Sequence, residues 1–148
     1  MQTKTATGTT PETLKSLLQG EMSAVETYEK ALGKVDGAPE GTQLRQIWSD
    51  HSQAVSLLRD LLIRYNGEMP SSSGAWGTFA NAVQATANVF GDAAALKALK
   101  EGEEHGVKDY DAALGNTAVA DDVKAIVRDL RMRCQAHVPV LDALIDRQ

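Results

Sequence analysis

Residues 14–35 read LKSLLQGEMSAVETYEKALGKV, and apolar side chains recur along this stretch in alternating steps of four and three residues. That spacing places them on one face of an α-helix. Glu21 falls on the same face, at a position where the spacing calls for an apolar side chain. The stretch therefore predicts a helix whose buried face carries a carboxylate. This face consists of Leu14, Leu18, Glu21, Val25, Tyr28, Leu32 and Val35.

Three more polar residues interrupt apolar helical faces elsewhere in the chain: His51, Glu103 and His137. A buried carboxylate or imidazole is costly unless it is paired, hydrogen-bonded or bound to a metal. Four such residues on four helices therefore predict one shared polar cluster. The face around His137 consists of Val123, Val127, Leu130, Cys134, His137, Leu141 and Leu144.

Turn and capping residues predict the limits of the helices. Thr10-Pro11-Glu12 is typical of an N-cap followed by proline in the first turn, and Gly67 is typical of the glycine just after a helix. Pro139 predicts a bend, since its ring removes a backbone donor. We expect a disordered tail over residues 1–10 and a single domain over 11–148. The predicted helices span about 11–35, 40–66, 92–114 and 118–146, with a shorter one at 75–90.

Two short loops and one long middle connection predict an all-α fold, an antiparallel four-helix bundle with a long, partly helical crossover between its second and third long helices. The alternative is a simple up-down-up-down arrangement, in which residues 75–90 form a fifth helix.

Composition excludes several classes of protein. The 148 residues carry a net charge of −5 and no run of Lys and Arg, which argues against a nucleic-acid partner. No apolar run approaches the about 20 residues that span a bilayer, so no membrane association is expected. The single cysteine, Cys134, forms no intramolecular disulfide, which fits a reducing compartment. We therefore expect a cytoplasmic protein.

An internal repeat relates the two halves of the chain. Residues 20–32 and 102–114 agree at six of thirteen positions, including the glutamates Glu21 and Glu103 and the tyrosines Tyr28 and Tyr110. A weaker match relates the segments around His51 and His137. The repeat predicts two similar helical hairpins related by a pseudo-twofold axis.

The repeated residues resemble the ferritin-like superfamily. Its di-iron members carry a Glu seven residues before a Tyr on the first and third helices, as Glu21 with Tyr28 and Glu103 with Tyr110 do here. They also carry a Glu-x-x-His pair on the second and fourth helices, and the resemblance matches its histidine to His51 and His137. The glutamate of that pair is replaced by Trp48 and Cys134. The resemblance therefore implies the fold, whereas the lost carboxylates argue against two irons and against oxygen activation.

The chain is most similar to an uncharacterised bacterial family of ferritin-like four-helix proteins of unknown function. The Gly-Glu…Tyr…Ala-Leu helix and the Ser-Gly-Ala-Trp sequence at 73–76 carry this resemblance. Ferritin-like relatives often associate through helix faces, so the resemblance implies a homodimer.

Three interpretations of Glu21, His51, Glu103 and His137 are open. In the first they hydrogen-bond one another, with Tyr28 and Tyr110, as an inherited polar layer of a non-catalytic bundle protein for which a stress-related role is one expectation. In the second they bind one divalent ion, Zn, Fe or Mn. Trp48 and Cys134 are expected beside the cluster.

The third interpretation is a dinuclear site that recruits further ligands from residues beside the face. These residues are expected to be solvated instead: Asp50, Glu26, Glu104 and His105. Cys134 and His137, three residues apart, would be needed for a thiol enzyme, but a cysteine on an apolar face is usually inert. The sequence favours a protein without enzymatic activity.

Overall fold

The computed structural model describes residues 8–35, 40–71 and 92–148. This part of the chain is all-α, with four helices and no strand. The tail residues 1–7 and the predicted short helix at 75–90 lie outside the described residues. The helices are α1 (Thr10–Val35), α2 (Glu40–Arg64), α3 (Asp92–Gly115) and α4 (Asp121–Asp146).

A capping box opens α1, one residue earlier than predicted. The Thr9 hydroxyl accepts a bond from the Glu12 backbone N–H at 3.3 Å, and the Glu12 carboxylate accepts one from the Thr9 backbone N–H at 2.9 Å. Thr9 is therefore the cap, and Thr10, predicted to be the N-cap and the end of the tail, is the first helical residue. The reciprocal pair satisfies two backbone donors that a helix start otherwise leaves unpaired.

Freed from capping, the buried side chain of Thr10 joins α1 to the loop before α4. Its hydroxyl donates to the carbonyl of Ala118 at 3.1 Å and accepts from the N–H of Ala120 at 3.1 Å. The side chain of Asn116 also accepts from the Ala118 N–H at 2.9 Å. These bonds hold the backbone in a turn, so α4 begins at Asp121 rather than at 118 as predicted.

At the end of α2, Asn66 rather than Gly67 adopts the left-handed conformation, with φ of 54°. The Gly67 N–H bonds to the Leu62 carbonyl at 2.9 Å and the Asn66 N–H to that of Ile63 at 3.0 Å, which is the Schellman pattern. Gly67 follows the left-handed residue instead of being that residue. A glycine is required there because a Cβ would lie 2.1 Å from Leu62 Cδ1.

Contacts near the helix ends show which ends meet. Lys15 near the start of α1 pairs with Glu68 just past α2 at 2.5 Å, and Tyr65 bonds Asp122 at the start of α4 at 2.5 Å. At the other end, Gln43 near the start of α2 accepts a bond from Arg147 just past α4 at 2.8 Å. Lys100, in the first half of α3, pairs with Asp142 near the end of α4 at 2.7 Å.

The core consists of two apolar clusters with polar residues between them. Along α1, Leu14 and Leu18 belong to the first cluster and Tyr28 and Ala31 to the second, with Glu21 between. Along α4 the clusters follow in the same order, and along α2 and α3 in the reverse order, with His137, His51 and Glu103 lying between them. The inward face predicted for the last helix is confirmed, because its seven residues are the buried residues of α4. None of the four described helices is both long and apolar enough to be a membrane span.

Candidate metal centre

The four polar residues singled out by the sequence lie together in the core, each on a different helix. Their exposed fractions are 6% for Glu21, 4% for His51, 1% for Glu103 and 5% for His137. The two imidazole rings are close, with centroids 5.1 Å apart. The structure therefore assembles the predicted shared cluster, which we call the core cluster (Glu21, His51, Glu103 and His137).

Glu103 lies at the centre of the core cluster. Its Oε2 is 2.7 Å from Nε2 of His51, and its Oε1 is 2.9 Å from Nδ1 of His137. Oε2 also accepts a bond from the hydroxyl of Tyr28 at 2.6 Å, and Oε1 one from the thiol of Cys134 at 3.1 Å. One carboxylate thus connects side chains from the other three helices.

Glu21 lies on the outer side of His51. Its Oε1 is 2.6 Å from Nδ1 of His51, and its Oε2 accepts a bond from the hydroxyl of Tyr110 at 2.5 Å. Each tyrosine therefore donates to the glutamate of the other half of the repeat, Tyr28 to Glu103 and Tyr110 to Glu21. This symmetry agrees with the internal repeat. His51 also stacks on Tyr28, with ring centroids 5.4 Å apart.

Asp50 is part of this arrangement, which corrects its predicted placement as a solvated residue. Its Oδ2 is 2.7 Å from Nε2 of His137, and its side chain is only 27% exposed. The internal repeat gave no signal for it, because the residue before His137 is Ala136. The one feature of the sequence that could have indicated its role is that Asp50 adjoins His51, the polar residue on the inward face of α2.

Burial and charge act in opposite directions on the pKa of His51. Burial disfavours the charged ring and is the largest effect, but the Glu103 and Glu21 carboxylates together outweigh it and raise the pKa well above 6.5. A carboxylate oxygen accepts but does not donate, so a ring with one at each nitrogen is held as the imidazolium.

Burial is also the largest effect on the pKa of Glu103, and it raises that pKa. The charge of His51 and the hydrogen bonds from His137 and His51 outweigh it, so the pKa of Glu103 lies well below its usual 4.5. Glu103 is thus an anion inside the core.

The neighbouring weak acids keep their protons. Burial, and then the Glu103 carboxylate, raise the pKa of the Cys134 thiol far above its ordinary value. Burial also raises the pKa values of Tyr28 and Tyr110, and the carboxylates they donate to raise them further. These groups act as hydrogen-bond donors, and the thiol lacks the ionisation that a nucleophile needs.

Trp48 and Cys134 occupy the positions three residues before the histidines. Cys134 lies beside Glu103, as expected. Trp48 is half-buried and packs against the second apolar cluster, and its indole N–H has no hydrogen-bond partner among the described residues. An indole ring therefore packs on the second apolar cluster from the position where the resemblance places a carboxylate.

His51, Glu103 and His137 each offer a ligand atom, and these atoms lie within 4.8 Å of one another. Imidazole nitrogen and carboxylate oxygen are ligands that zinc, iron and manganese accept. This buried His/Glu/His group could bind a metal ion. Within the described ranges, no other group of His, Cys, Asp and Glu meets this criterion.

Two small cavities adjoin the core cluster. One lies between α1 and α3, beside Glu21 and Cys134, with three glycines in its wall; the other lies between α2 and α4, beside both histidines. The space open to the centre of a water molecule is about 20 Å³ in the first cavity and about 10 Å³ in the second. Each has room for about one water molecule. The glycines are Gly20, Gly102 and Gly106.

The chain belongs to the family described as "Domain of unknown function (DUF2383)", whose profile matches residues 9–116. The matched region contains Glu21, His51 and Glu103 and ends before α4, which contributes His137. No curated protein and no solved structure gave a match.

Proposed function

We propose that this protein is a ferritin-like helical bundle that binds one divalent cation in its core, through His51, Glu103 and His137. The carrying observation is that one buried carboxylate faces a ring nitrogen of each of two buried histidines, with all three ligand atoms within 4.8 Å. Zn, Fe and Mn suit this donor set.

The contacts at the helix ends support the ferritin-like arrangement. The end of α2 lies beside the start of α4 through Tyr65 and Asp122, whereas the first half of α3 lies beside the end of α4 through Lys100 and Asp142. The two helix ends joined by residues 65–91 therefore lie at opposite ends of α4. A ferritin-like crossover joins helix ends placed in this way. In an up-down-up-down bundle the end of the second helix and the start of the third would lie at the same end. Lys15 and Glu68 likewise support antiparallel packing of α1 and α2.

The spacing of the donors indicates what binding involves. The nitrogen–oxygen separations of 2.7 and 2.9 Å are hydrogen-bond lengths. Two ligands of one tetrahedral zinc ion, each about 2.0–2.1 Å from the metal, lie roughly 3.3 Å apart. The ion would therefore take the place of hydrogen-bonding protons, with the donors separating by about half an ångström.

A binding role fits the cavities better than catalysis on an organic substrate does. The room beside the core cluster is that of single water molecules. The thiol of Cys134 also donates to Glu103 and keeps its proton, so a thiol nucleophile has no support.

Elemental analysis tests the proposal. Protein purified from cells supplied with zinc, iron and manganese is expected to carry about one ion per chain, and His137→Ala to carry much less. His105→Ala is the matched control, since His105 lies on the surface of α3 with 62% of its side chain exposed, and it should retain the ion. Wild-type protein without an ion, which also shows no rise in melting temperature when each metal is added, would refute the proposal.

The second candidate is a purely structural polar layer that fixes the register of the helices. One observation favours it: both oxygens of Glu21 and Glu103 and both ring nitrogens of each histidine already have partners. The same metal analysis separates the two candidates, because this one predicts no bound ion and no stabilisation by metal.

A further inference from the structure

The two histidines of the core cluster present opposite ring nitrogens to Glu103. His51 turns Nε2 toward it, at 2.7 Å, and His137 turns Nδ1 toward it, at 2.9 Å. The second nitrogen of each ring points away from the centre. What holds that second nitrogen decides which atom of the ring a cation would meet.

In both rings the second nitrogen faces a carboxylate that is not otherwise part of the His/Glu/His group. Nδ1 of His51 lies 2.6 Å from Oε1 of Glu21, and Nε2 of His137 lies 2.7 Å from Oδ2 of Asp50. Each arrangement places carboxylate, imidazole and the proposed ion position in a row. In metalloproteins such an outer carboxylate fixes the tautomer and orientation of the ring and makes the metal-facing nitrogen a better ligand.

Both outer carboxylates are themselves held in place. The second oxygen of Glu21 accepts from the buried hydroxyl of Tyr110 at 2.5 Å. The second oxygen of Asp50 accepts a longer bond, from the side chain of Gln46 at 3.4 Å, one turn earlier on α2. Both oxygens of Glu21 are therefore engaged, one by His51 and the other by Tyr110.

We propose that Glu21 and Asp50 are positioning residues that present Nε2 of His51 and Nδ1 of His137 to the cation and do not bind it themselves. This inference rests on the proposed function. It differs from the sequence-based expectation, in which Glu21 was a fourth ligand and Asp50 was solvated. It also makes the two halves of the centre chemically unequal, despite their repeat.

Zinc affinity of the isosteric variants provides the first test. Glu21→Gln and Asp50→Asn, measured by competition with a chromophoric chelator, should each bind zinc about 10- to 100-fold more weakly than wild type. Both should still bind one ion per chain. Controls are Glu29→Gln on α1 and Asp60→Asn on α2, which alter exposed carboxylates on the same helices and should leave the affinity unchanged.

Imidazole ¹⁵N chemical shifts of zinc-loaded wild-type protein provide the second test, which needs no substitution and survives a variant that fails to fold. The expected spectrum has a protonated Nδ1 and a metal-bound Nε2 on His51, and the reverse on His137. A role of the carboxylates in stability alone would not produce this pattern.

The possible outcomes are distinct. Zinc bound through the same nitrogen type of both rings, unchanged affinity in both variants, or loss of the ion in Glu21→Gln as complete as in His137→Ala would overturn the positioning role while the proposed function stands. Wild-type protein that binds no zinc would overturn both. Weaker binding with the expected nitrogen assignment supports the inference.

Discussion

At the scale of single residues, the side chain of Glu103 joins all four helices. It projects from α3 and contacts Tyr28 of α1, His51 of α2, and both His137 and Cys134 of α4. A buried anion is tolerated only when such partners replace the water it has lost. Removing its charge therefore affects every helix of the core at once.

Glu103→Gln is expected to lower the free energy of unfolding of the metal-free protein by about 3 kcal/mol or more, since the charged imidazolium of His51 then loses a buried counter-charge. Urea denaturation measures this. Glu104→Gln, at the exposed position next to it, should change stability by less than about 0.5 kcal/mol. Equal effects of the two substitutions would show that the bonds to Glu103 add no net stability.

The ion pair of Glu103 and His51 is expected to contribute its full stability only within a limited pH range. The folded pKa of Glu103 lies below its ordinary 4.5, so the stability it contributes is complete above about pH 4.5 and is lost as the pH falls below that value. The folded pKa of His51 lies well above its ordinary 6.5, so its contribution is complete below about pH 6.5 and is lost as the pH rises through the folded value.

The stability difference between wild type and Glu103→Gln should therefore be largest between about pH 4.5 and 6.5 and shrink toward strong acid and toward alkali. Urea unfolding of both metal-free proteins across this range checks it. A difference that grows as the medium becomes more acidic would contradict the ion pair.

The sequence could predict which residues meet in the core cluster but not which role each of them has there. A polar residue on an apolar helical face has to find a polar partner, so Glu21, His51, Glu103 and His137 were predictable from spacing alone. The role of Asp50 was not, because whether a residue at the margin of a face reaches inward depends on the neighbouring helix. The choice of ring nitrogen likewise depends on side-chain orientation across helices.

At the scale of the helix, glycine positions separate local propensity from packing. Gly33 lies near the end of α1, and a Cβ there would meet nothing within 4 Å, whereas a Cβ on Gly106 of α3 would lie 3.0 Å from Sγ of Cys134. Both are helical, so alanine offers each the same gain in backbone entropy. Only one of them has room for it.

Gly33→Ala is expected to raise the free energy of unfolding by about 0.5–1 kcal/mol. Gly106→Ala should gain less or destabilise the protein, because the Cys134 thiol is held by Glu103 and moves aside only with loss of that bond. Thermal unfolding of the two variants provides the comparison. A larger gain at Gly106 than at Gly33 would show that the thiol shifts freely.

Helix limits were predictable to within a few residues, and the differences have local causes. Thr9 and Thr10 are both threonines, so composition alone did not show which one caps α1; the reciprocal bonds with Glu12 decide it. Asn66 takes the left-handed conformation, and the glycine is required one residue later, where a Cβ would overlap Leu62. Such choices depend on neighbouring side chains rather than on propensity.

At the scale of the whole molecule, the chain joins distant segments by polar bonds as well as by apolar packing. Thr10 contacts Ala118 and Ala120, more than one hundred residues later, and Asn116 bonds the carbonyl of Gly8 at 2.8 Å. These bonds tie the start of α1 to the loop between α3 and α4. They connect the two halves of the repeat at one end of the core.

Thr10→Val, which keeps the shape and removes the hydroxyl, is expected to cost about 1–3 kcal/mol, since a partly buried N–H and carbonyl lose their partner. Hydrogen exchange of the Ala120 amide should accelerate in the variant. Thr42→Val, at an exposed position of α2, is the control and should leave that amide unaffected. Unchanged exchange at Ala120 would contradict the bridging role.

The buried thiol of Cys134 has a practical consequence, because the sequence contains no second cysteine. A thiol reagent such as Ellman's can modify this chain only when the region around α4 opens and exposes the sulfur atom. The rate of colour development under native conditions would thus report how often the protein interior near Glu103 opens, without any engineered label. A cation bound by the neighbouring histidines would lower that rate.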